Sequence, residues 1–342
     1  MARTLHRRRN ETTALVLGAG ASRGVSYRTS RPCASPLDCD FFQILGQQVD
    51  LLGQWRKPYG LTHDLRSTLN EVLACPDLRE SLERAFYTLH VSTVMRDLLF
   101  EDCPVQFFLR RFARSISFLL RKAHDKEVCQ HHTRLFRRLN SSDAIITFNY
   151  DLVIERALGA LHGRNCEFGR WIYGGSSVAA PAGSAKVPRI YKLHGSSNWR
   201  VSRGQFSVRQ KGWVDFEQFP GYLGHRAAKK HIAPEEQPEF PIMLPYWDKK
   251  IEADPWRSVW RAAAVPLLEA RNIIIWGYSL PPTDIKAREF FEQTITNQTP
   301  RRLCVIDPSP DTKRRWGNLV QSGADWSYSC IEEFFAHPPP WW

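Results

Sequence analysis

The sequence predicts an α/β fold: a Rossmann-like, doubly wound and mainly parallel sheet carrying a large helical insertion. Three observations lead there. Short apolar, β-rich runs recur along the chain. Each ends in a glycine-containing or polar tip, and the later ones pass from that tip into a helical pattern. Between the first run and the second lie about a hundred residues of helical periodicity, too many for a single crossover. In an open α/β sheet, ligands bind beyond the carboxyl ends of the strands, so the tips are where function is expected.

The first strand is residues 13–17 (TALVL), feeding Gly18-Ala19-Gly20-Ala21-Ser22. The turn is spaced G-x-G-x-x-x-G, not the G-x-G-x-x-G of dinucleotide-binding dehydrogenases. Glycines there let a backbone approach phosphate oxygens, and a following helix N-terminus adds N–H donors. The same turn is also compatible with a purely structural role. Asp38 and Asp40 stand where an acidic ribose clamp is expected, but Arg31-Pro32-Cys33-Ala34-Ser35-Pro36 before them is no strand, so they are not assigned that role.

From residue 41 to 140 leucine, phenylalanine, arginine and glutamate recur at helical spacing, as in Leu78/Leu82/Ala85/Phe86/Leu89. The next strand, 144–148 (AIITF), delivers Asn149-Tyr150-Asp151. An amphipathic helix follows and is closed by Gly163. Asn149 or Asp151 can serve as a helix N-cap, which accounts for one of the two. Residues 163–187, rich in glycine, serine and alanine, read as a loop. Strand 189–193 (RIYKL) then presents His194, followed by Gly195, Ser196, Ser197 and Asn198.

A helix is expected from Trp256 to Glu269, with Val259, Trp260, Ala263 and Leu267 as its apolar face. Residues 272–276 (NIIIW) form a buried strand tipped by Gly277-Tyr278-Ser279-Leu280-Pro281-Pro282-Thr283-Asp284. Thr283 or Asp284 caps the next helix. Residues 303–306 (LCVI) end in Asp307-Pro308-Ser309, and 326–330 form a last edge strand. The resulting division is a basic tail (1–12), first strand and glycine loop (13–40), helical insertion (41–140), the rest of the core (141–335) and a C-terminal tail (336–342).

Composition limits the function classes. The 342 residues are 43% hydrophobic and 24% charged, enough for a real core in a water-soluble chain. No apolar run reaches the roughly 20 residues of a membrane span, and no apolar stretch of signal-peptide type follows the basic N-terminus. A cytoplasmic protein without membrane contact is expected. The formal charge of +12 suits an anionic partner, a nucleotide or nucleic acid, or simply a solvated basic surface. None of the eight cysteines forms a C-x-x-C pair, and no Cys/His spacing matches a zinc site. Cys129 and His131-His132 are expected to diverge on a helix, so no metal is assigned.

Taken together, the fragments GAGAS, TFNYD, KLHGSSNW, GYSLPPTD and VIDPS resemble those of sirtuin-like proteins in kind and order. They look closest to the bacterial branch found in anti-phage defence, over roughly residues 12–310. The resemblance implies an NAD-binding core that performs no reduction. In that family the first glycine loop surrounds the pyrophosphate, here Gly18, Ala19, Gly20, Ala21 and Ser22. Asn149 and His194 match the catalytic pair, and Asp151 the adjacent acidic position. Gly277 and Ser279 match a second nucleotide-contacting turn, and Asp307 falls where the adenosine ribose is held. Deacylase members carry a zinc module with two C-x-x-C pairs after the HG strand, whereas residues 199–245 contain no cysteine. The loop after Ser22 also lacks the usual proline-aspartate-phenylalanine-arginine stretch.

The chemistry implied is cleavage of the bond between ribose and a cationic pyridinium. Nicotinamide leaves neutral, so no acid is needed for it, unlike ordinary glycoside hydrolysis. The site must stabilise an oxocarbenium-like state and position a nucleophile. Asn149 could hold ribose hydroxyls or the attacking water; His194 could take a proton. Asp151 could orient the asparagine turn or only cap the helix. The expectation is an NAD+ glycohydrolase acting as a regulated, NAD-depleting effector. It would be held off until it oligomerises or meets an activating partner, an ATPase or a nucleic-acid sensor. The other readings are an NAD-dependent deacylase, a non-catalytic nucleotide-binding subunit, or a basic nucleic-acid binder.

Overall fold

A computed structural model describes residues 11–23, 37–44, 80–85, 128–163, 170–176, 186–197, 256–295, 301–320 and 325–342, with shorter runs between them. Six strands form one sheet: β1 (Thr13–Leu17), β2 (Ala144–Thr147), β3 (Arg189–Lys192), β4 (Asn272–Trp276), β5 (Arg302–Ile306) and β6 (Trp326–Tyr328). Their order is β3-β2-β1-β4-β5-β6, and every pairing is parallel. Leu15 sits between Ile145 and Ile274 in register. β1, β2 and β4 are buried throughout, as expected when helices cover both faces of a parallel sheet. Each fully buried Leu or Ile there contributes about 1.5–3 kcal/mol.

The helices described from end to end include α1 (Ala19–Arg23), α2 (Gln130–Phe136), α3 (Val153–His162), α4 (Trp256–Glu269), α5 (Ile285–Ile295), α6 (Pro310–Leu319) and α7 (Ile331–Ala336). α4 buries Val259, Trp260, Ala263 and Leu267, the apolar face read from its spacing. α3 ends on Gly163. Of the expected helical insertion, 41–44, 82–85 and α2 are helical; most of the remainder lies outside the described residues, as do most of 199–245.

Two segments depart from the sequence reading. Within the stretch read as loop, Arg170–Ile172 make a short 3-10 turn, and Tyr173 bridges Ile190 in parallel, extending the sheet beyond β3. Trp171, Ile172 and Tyr173 are buried; three consecutive large apolar residues outweigh the glycines around them. α6 was not read as a helix. Ser309 caps it, accepting from the Thr312 amide, and Pro310 opens it. At the C-terminal end, Trp341 packs edge-on against Trp326, and Trp342 lies tilted against Phe334.

Reversal of strand order falls between β1 and β4, the switch point at which open α/β sheets take ligands. The chain's first strand is thus central, and segments after all six strands line one cavity at this edge.

Candidate active site

The turns after β1 and β4 are joined through backbone bonds. Gly18 N–H donates to Trp276 O and Gly20 N–H to Gly277 O, while Ala21 N–H closes the first turn on Gly18 O, each at 3.0 Å. Gly277 has φ +64°, and a Cβ there would lie 2.2 Å from the Ala21 nitrogen. A Cβ on Gly18 would lie 2.4 Å from the Gly277 oxygen. These glycines let one turn approach another. The Gly20 and Ala21 amides, expected to face a phosphate, are directed at protein acceptors. Of the five residues predicted for this loop, Ala19 and Gly20 line the cavity described below; Gly18, Ala21 and Ser22 do not.

The tip of β2 is built from side chains. Asn149 Nδ2 donates to Gly18 O at 2.8 Å and to Ser22 Oγ at 3.2 Å. A carbonyl can only accept, so this contact fixes which way the amide faces. With both amide hydrogens used, Asn149 offers the cavity its Oδ1, an acceptor. Ser22 Oγ donates in turn to Asp151 Oδ2 at 2.7 Å, while Asp151 Oδ1 accepts the Val153 amide at 3.0 Å. Asp151 thus ties down the amide of Val153, the first residue of α3 after its N-cap Leu152, and holds the serine that holds Asn149. Lys192, wholly buried, donates to Asp151 O and to Glu155 Oε1, which also accepts from Tyr173.

At the tip of β3 the chain turns through Gly195, at φ +85°, which only glycine adopts readily. Trp260 of α4 donates its indole N–H to Leu193 O at 2.9 Å, and Met243 N–H donates to His194 O at 2.8 Å. The His194 ring meets Phe148 edge-on at 4.9 Å, and Phe148 stacks flat on Tyr278 at 4.1 Å. His194 Nε2 lies 3.5 Å from Asp284 Oδ2, which accepts from Tyr278 Oη at 3.2 Å. Burial, and then the charge of Asp284, pushes the Tyr278 phenol well above its ordinary range; it stays a donor. Of the two cap candidates for α5, Thr283 and Asp284, it is Asp284 whose Oδ1 accepts the Ala287 amide, at 3.2 Å. Its contact with His194 was not legible, because 90 residues of sequence separate the two.

Between these tips lies a cavity of about 690 Å³, lined among others by Asn149, Asp151, His194, Gly277, Ser279 and Asp307. Asp307 Oδ1 accepts the Ser309 amide at 2.9 Å, and Trp316 donates its indole N–H to Tyr278 O at 2.9 Å. Arg23, ion-paired with Asp40, also faces the cavity, as do Leu82, Glu83 and Leu120 from the 41–140 stretch. Asp40, passed over as a ribose clamp, instead ties down the end of α1.

One expectation is corrected here. Cys129 and His132 do not diverge: the thiol stands 2.9 Å from His132 Nδ1 and accepts the His132 amide. Cys129 is the N-cap of α2, outside the helical spiral, so its side chain turns back over the first turn. Burial pushes this thiol up to about 11, and it is a packed, inert group. Among the described residues no set of three or more His, Cys, Asp or Glu is placed to hold a metal ion. No described helix is long and apolar enough to cross a membrane.

Comparison with known proteins adds the following. A solved structure of Sir2 with an inhibitor, 2′-O-acetyl-ADP-ribose and a deacetylated peptide aligns over 95% of this chain and 90% of its own. Its sequence identity is 14% and its TM-score 0.44. A structure described as the basis of sirtuin substrate affinity aligns over 95% and 91%, at 15% identity and TM-score 0.42. Scores this low carry no argument about function. No curated protein matches the chain. The family model described as "SIR2-like domain" matches residues 143–325, from the start of β2 to the start of β6. That is more than half of the chain, and the protein belongs to the SIR2-like domain family.

Proposed function

We propose that the protein is an NAD+ glycohydrolase that cleaves the nicotinamide–ribose bond to give nicotinamide and ADP-ribose. The observation that carries this reading is the pairing, on one cavity at the switch point, of an acceptor-only Asn149 with a His194 backed by a carboxylate. Water donates one hydrogen to Asn149 Oδ1, and its oxygen attacks C1′ of the ribose. The C1′–N bond breaks with its electron pair going to the pyridine nitrogen, so nicotinamide departs neutral. His194 takes the remaining proton of the water. Asn149 and His194 are the catalytic residues, and Asp151 positions Asn149 through Ser22.

Ala19, Gly20, Gly277 and Ser279 form the floor for the pyrophosphate, with Gly18, Ala21 and Ser22 behind it as its frame. Asp307 receives the adenosine ribose. NAD+ is the substrate, and no metal takes part. The divisions read from the sequence are retained in this proposal, with 41–140 inserted between the first strand and the remaining core. The protein belongs to a zinc-lacking, anti-phage branch and works in the cytoplasm. It depletes NAD+ when homo-oligomerisation or a separate ATPase or nucleic-acid-sensing partner switches it on, and its basic surface meets the nucleic acid.

The test is incubation of the purified chain with NAD+, across protein concentration and with candidate activators, with free nicotinamide and ADP-ribose quantified. Release of both in equal amounts is expected. Nicotinamide release only in the presence of an acyl-lysine peptide would replace the proposal with a deacylase. Binding of NAD+ without any turnover would make the chain a nucleotide-binding subunit.

A further inference from the structure

We propose that Asp284 is the positioning residue of His194. The inference rests on the glycohydrolase reading above and names the group that makes the histidine an effective base. A helix cap alone would explain Asp284 only in part. Its Oδ1 satisfies the Ala287 amide at 3.2 Å, and one oxygen suffices for a cap. The other oxygen, Oδ2, is the one that accepts from Tyr278 Oη at 3.2 Å and faces His194 Nε2 at 3.5 Å. Both side chains are almost wholly buried, with 7% of His194 and 5% of Asp284 exposed. A carboxylate withdrawn from water needs a charge-compatible partner, and His194, which becomes cationic on taking a proton, stands 3.5 Å from it.

The backbone supports the same reading. Leu280, between Tyr278 and Asp284, has φ +48°, a left-handed conformation that a leucine rarely adopts. Such strain persists where surroundings over-determine it and gathers at working sites. Trp316 pins the Tyr278 carbonyl, and Trp260 pins the Leu193 carbonyl, each at 2.9 Å. The two segments that bring Asp284 and His194 together are therefore both fixed from behind. Among the described residues, titratable groups near this pair include Tyr150, whose ring stacks over His194 at 6.2 Å, Tyr278, and Glu83, which acts on Tyr278 from the 80–85 stretch. As His194 takes the proton from water, the Asp284 carboxylate stabilises the imidazolium and keeps the ring turned to the reacting atoms. A contact of 3.5 Å before substrate binds is compatible with this, since such contacts tighten in the reacting complex.

Asp284→Asn is the informative variant, because its amide oxygen keeps the cap on the Ala287 amide while its amide nitrogen takes the place of Oδ2 and donates to Tyr278 Oη, which can accept. The negative charge facing His194 is removed and the cap is kept. The expected outcome is a fall in kcat of about 100-fold with KM for NAD+ little changed. The acid limb of the pH–rate profile moves to lower pH, since an opposite charge beside it favours protonated histidine. In parallel, an NMR titration of the His194 ring in wild type and Asp284→Asn reads the coupling without any turnover. A downward shift in the variant supports it even if no NAD+ is cleaved, in which case it is the glycohydrolase reading that fails. An unmoved His194 titration, or an unmoved acid limb with kcat intact, would reduce Asp284 to a helix cap. Should Asp284→Asn not fold, Asp284→Ser keeps a capping side chain without the charge and is scored the same way.

Discussion

The two sides of the cavity are built from different materials. On the β1/β4 side the contacts are backbone to backbone: three amide–carbonyl bonds at 3.0 Å and glycines into which no Cβ fits. On the β2/β3 side they are side chain to side chain or side chain to backbone, running Gly18–Asn149–Ser22–Asp151 and Tyr278–Asp284–His194. The first side sets shape and the second supplies proton donors and acceptors. Substitutions should therefore fail differently, on one side by unfolding the site and on the other by silencing it.

The largest separation is expected from the side-chain half. Asn149→Ala and His194→Ala should each lower kcat for nicotinamide release by about 10³-fold, roughly 4 kcal/mol of barrier. Removing the buried imidazole also takes a packing partner from Phe148 and the facing group from the Asp284 carboxylate, so the melting temperature should fall as well. Asn149→Ala also removes one of the two donors to the Gly18 carbonyl, the Ala21 amide remaining, at a cost of about 1 kcal/mol in stability, so its unfolding curve should move modestly. Steady-state rates alongside denaturant melts check both. If either variant turned over at the wild-type rate, the catalytic assignment would be lost.

The backbone half should behave in the opposite way. Gly277→Ala places a methyl group 2.2 Å from the Ala21 nitrogen at φ +64°. The neighbour is main chain and cannot swing aside. Overpacking and the left-handed backbone together should cost about 3 kcal/mol of folding stability. NAD+ binding should weaken along with the fold. A Gly277→Ala protein as stable as wild type would show that the two turns do not depend on their close approach.

How far each half was legible follows from the same difference. Strands announce themselves through apolar, β-branched runs, and NIIIW could be read directly as β4. So could the i, i+4 face of α4. What escaped was anything set by partners remote in sequence. The acceptor orientation of Asn149 is dictated by a carbonyl 131 residues away. The second task of Asp284 appears only when β3 and the turn after β4 face each other across β2 and β1. α6, with the sequence PDTKRRWGNL, lacks an apolar stripe and is anchored through Trp316, whose partners are Tyr278 and Phe291. The left-handed Leu280 has no signature at all, since it obeys its surroundings and not its own preference.

Behind the glycine turn lies Cys129, close to His132, whose ring packs on Trp276 of β4. Its pH dependence tests whether this ground stays dry. Burial raises the thiol from 9.0 to about 11 in the folded state. The folded form thus holds its proton more tightly than the unfolded form. The contribution is fully present below pH 9 and is lost as pH climbs from 9 to 11, up to roughly 2–3 kcal/mol. Unfolding free energies of wild type and Cys129→Ala, measured through that window, should diverge by up to one proton in slope. Parallel curves would mean that water reaches the thiol.

The smallest expected effect compares the two halves most directly, because the same chemistry holds each of them. Trp260 donates to Leu193 O ahead of His194, and Trp316 donates to Tyr278 O ahead of Asp284. Replacing either with phenylalanine keeps an aromatic ring but leaves a buried carbonyl unsatisfied, at about 1–2 kcal/mol in each case. The stability losses should match. The kinetic losses should also match, because His194 and Asp284 act as one unit and displacing either end opens the same 3.5 Å gap. If Trp260→Phe alone slowed turnover while Trp316→Phe altered only the melt, the turn after β4 would belong wholly to the structural half. Equal losses of rate would carry the chemical half across the cavity to Asp284, so that the division runs through the turn after β4, between Gly277 and Asp284.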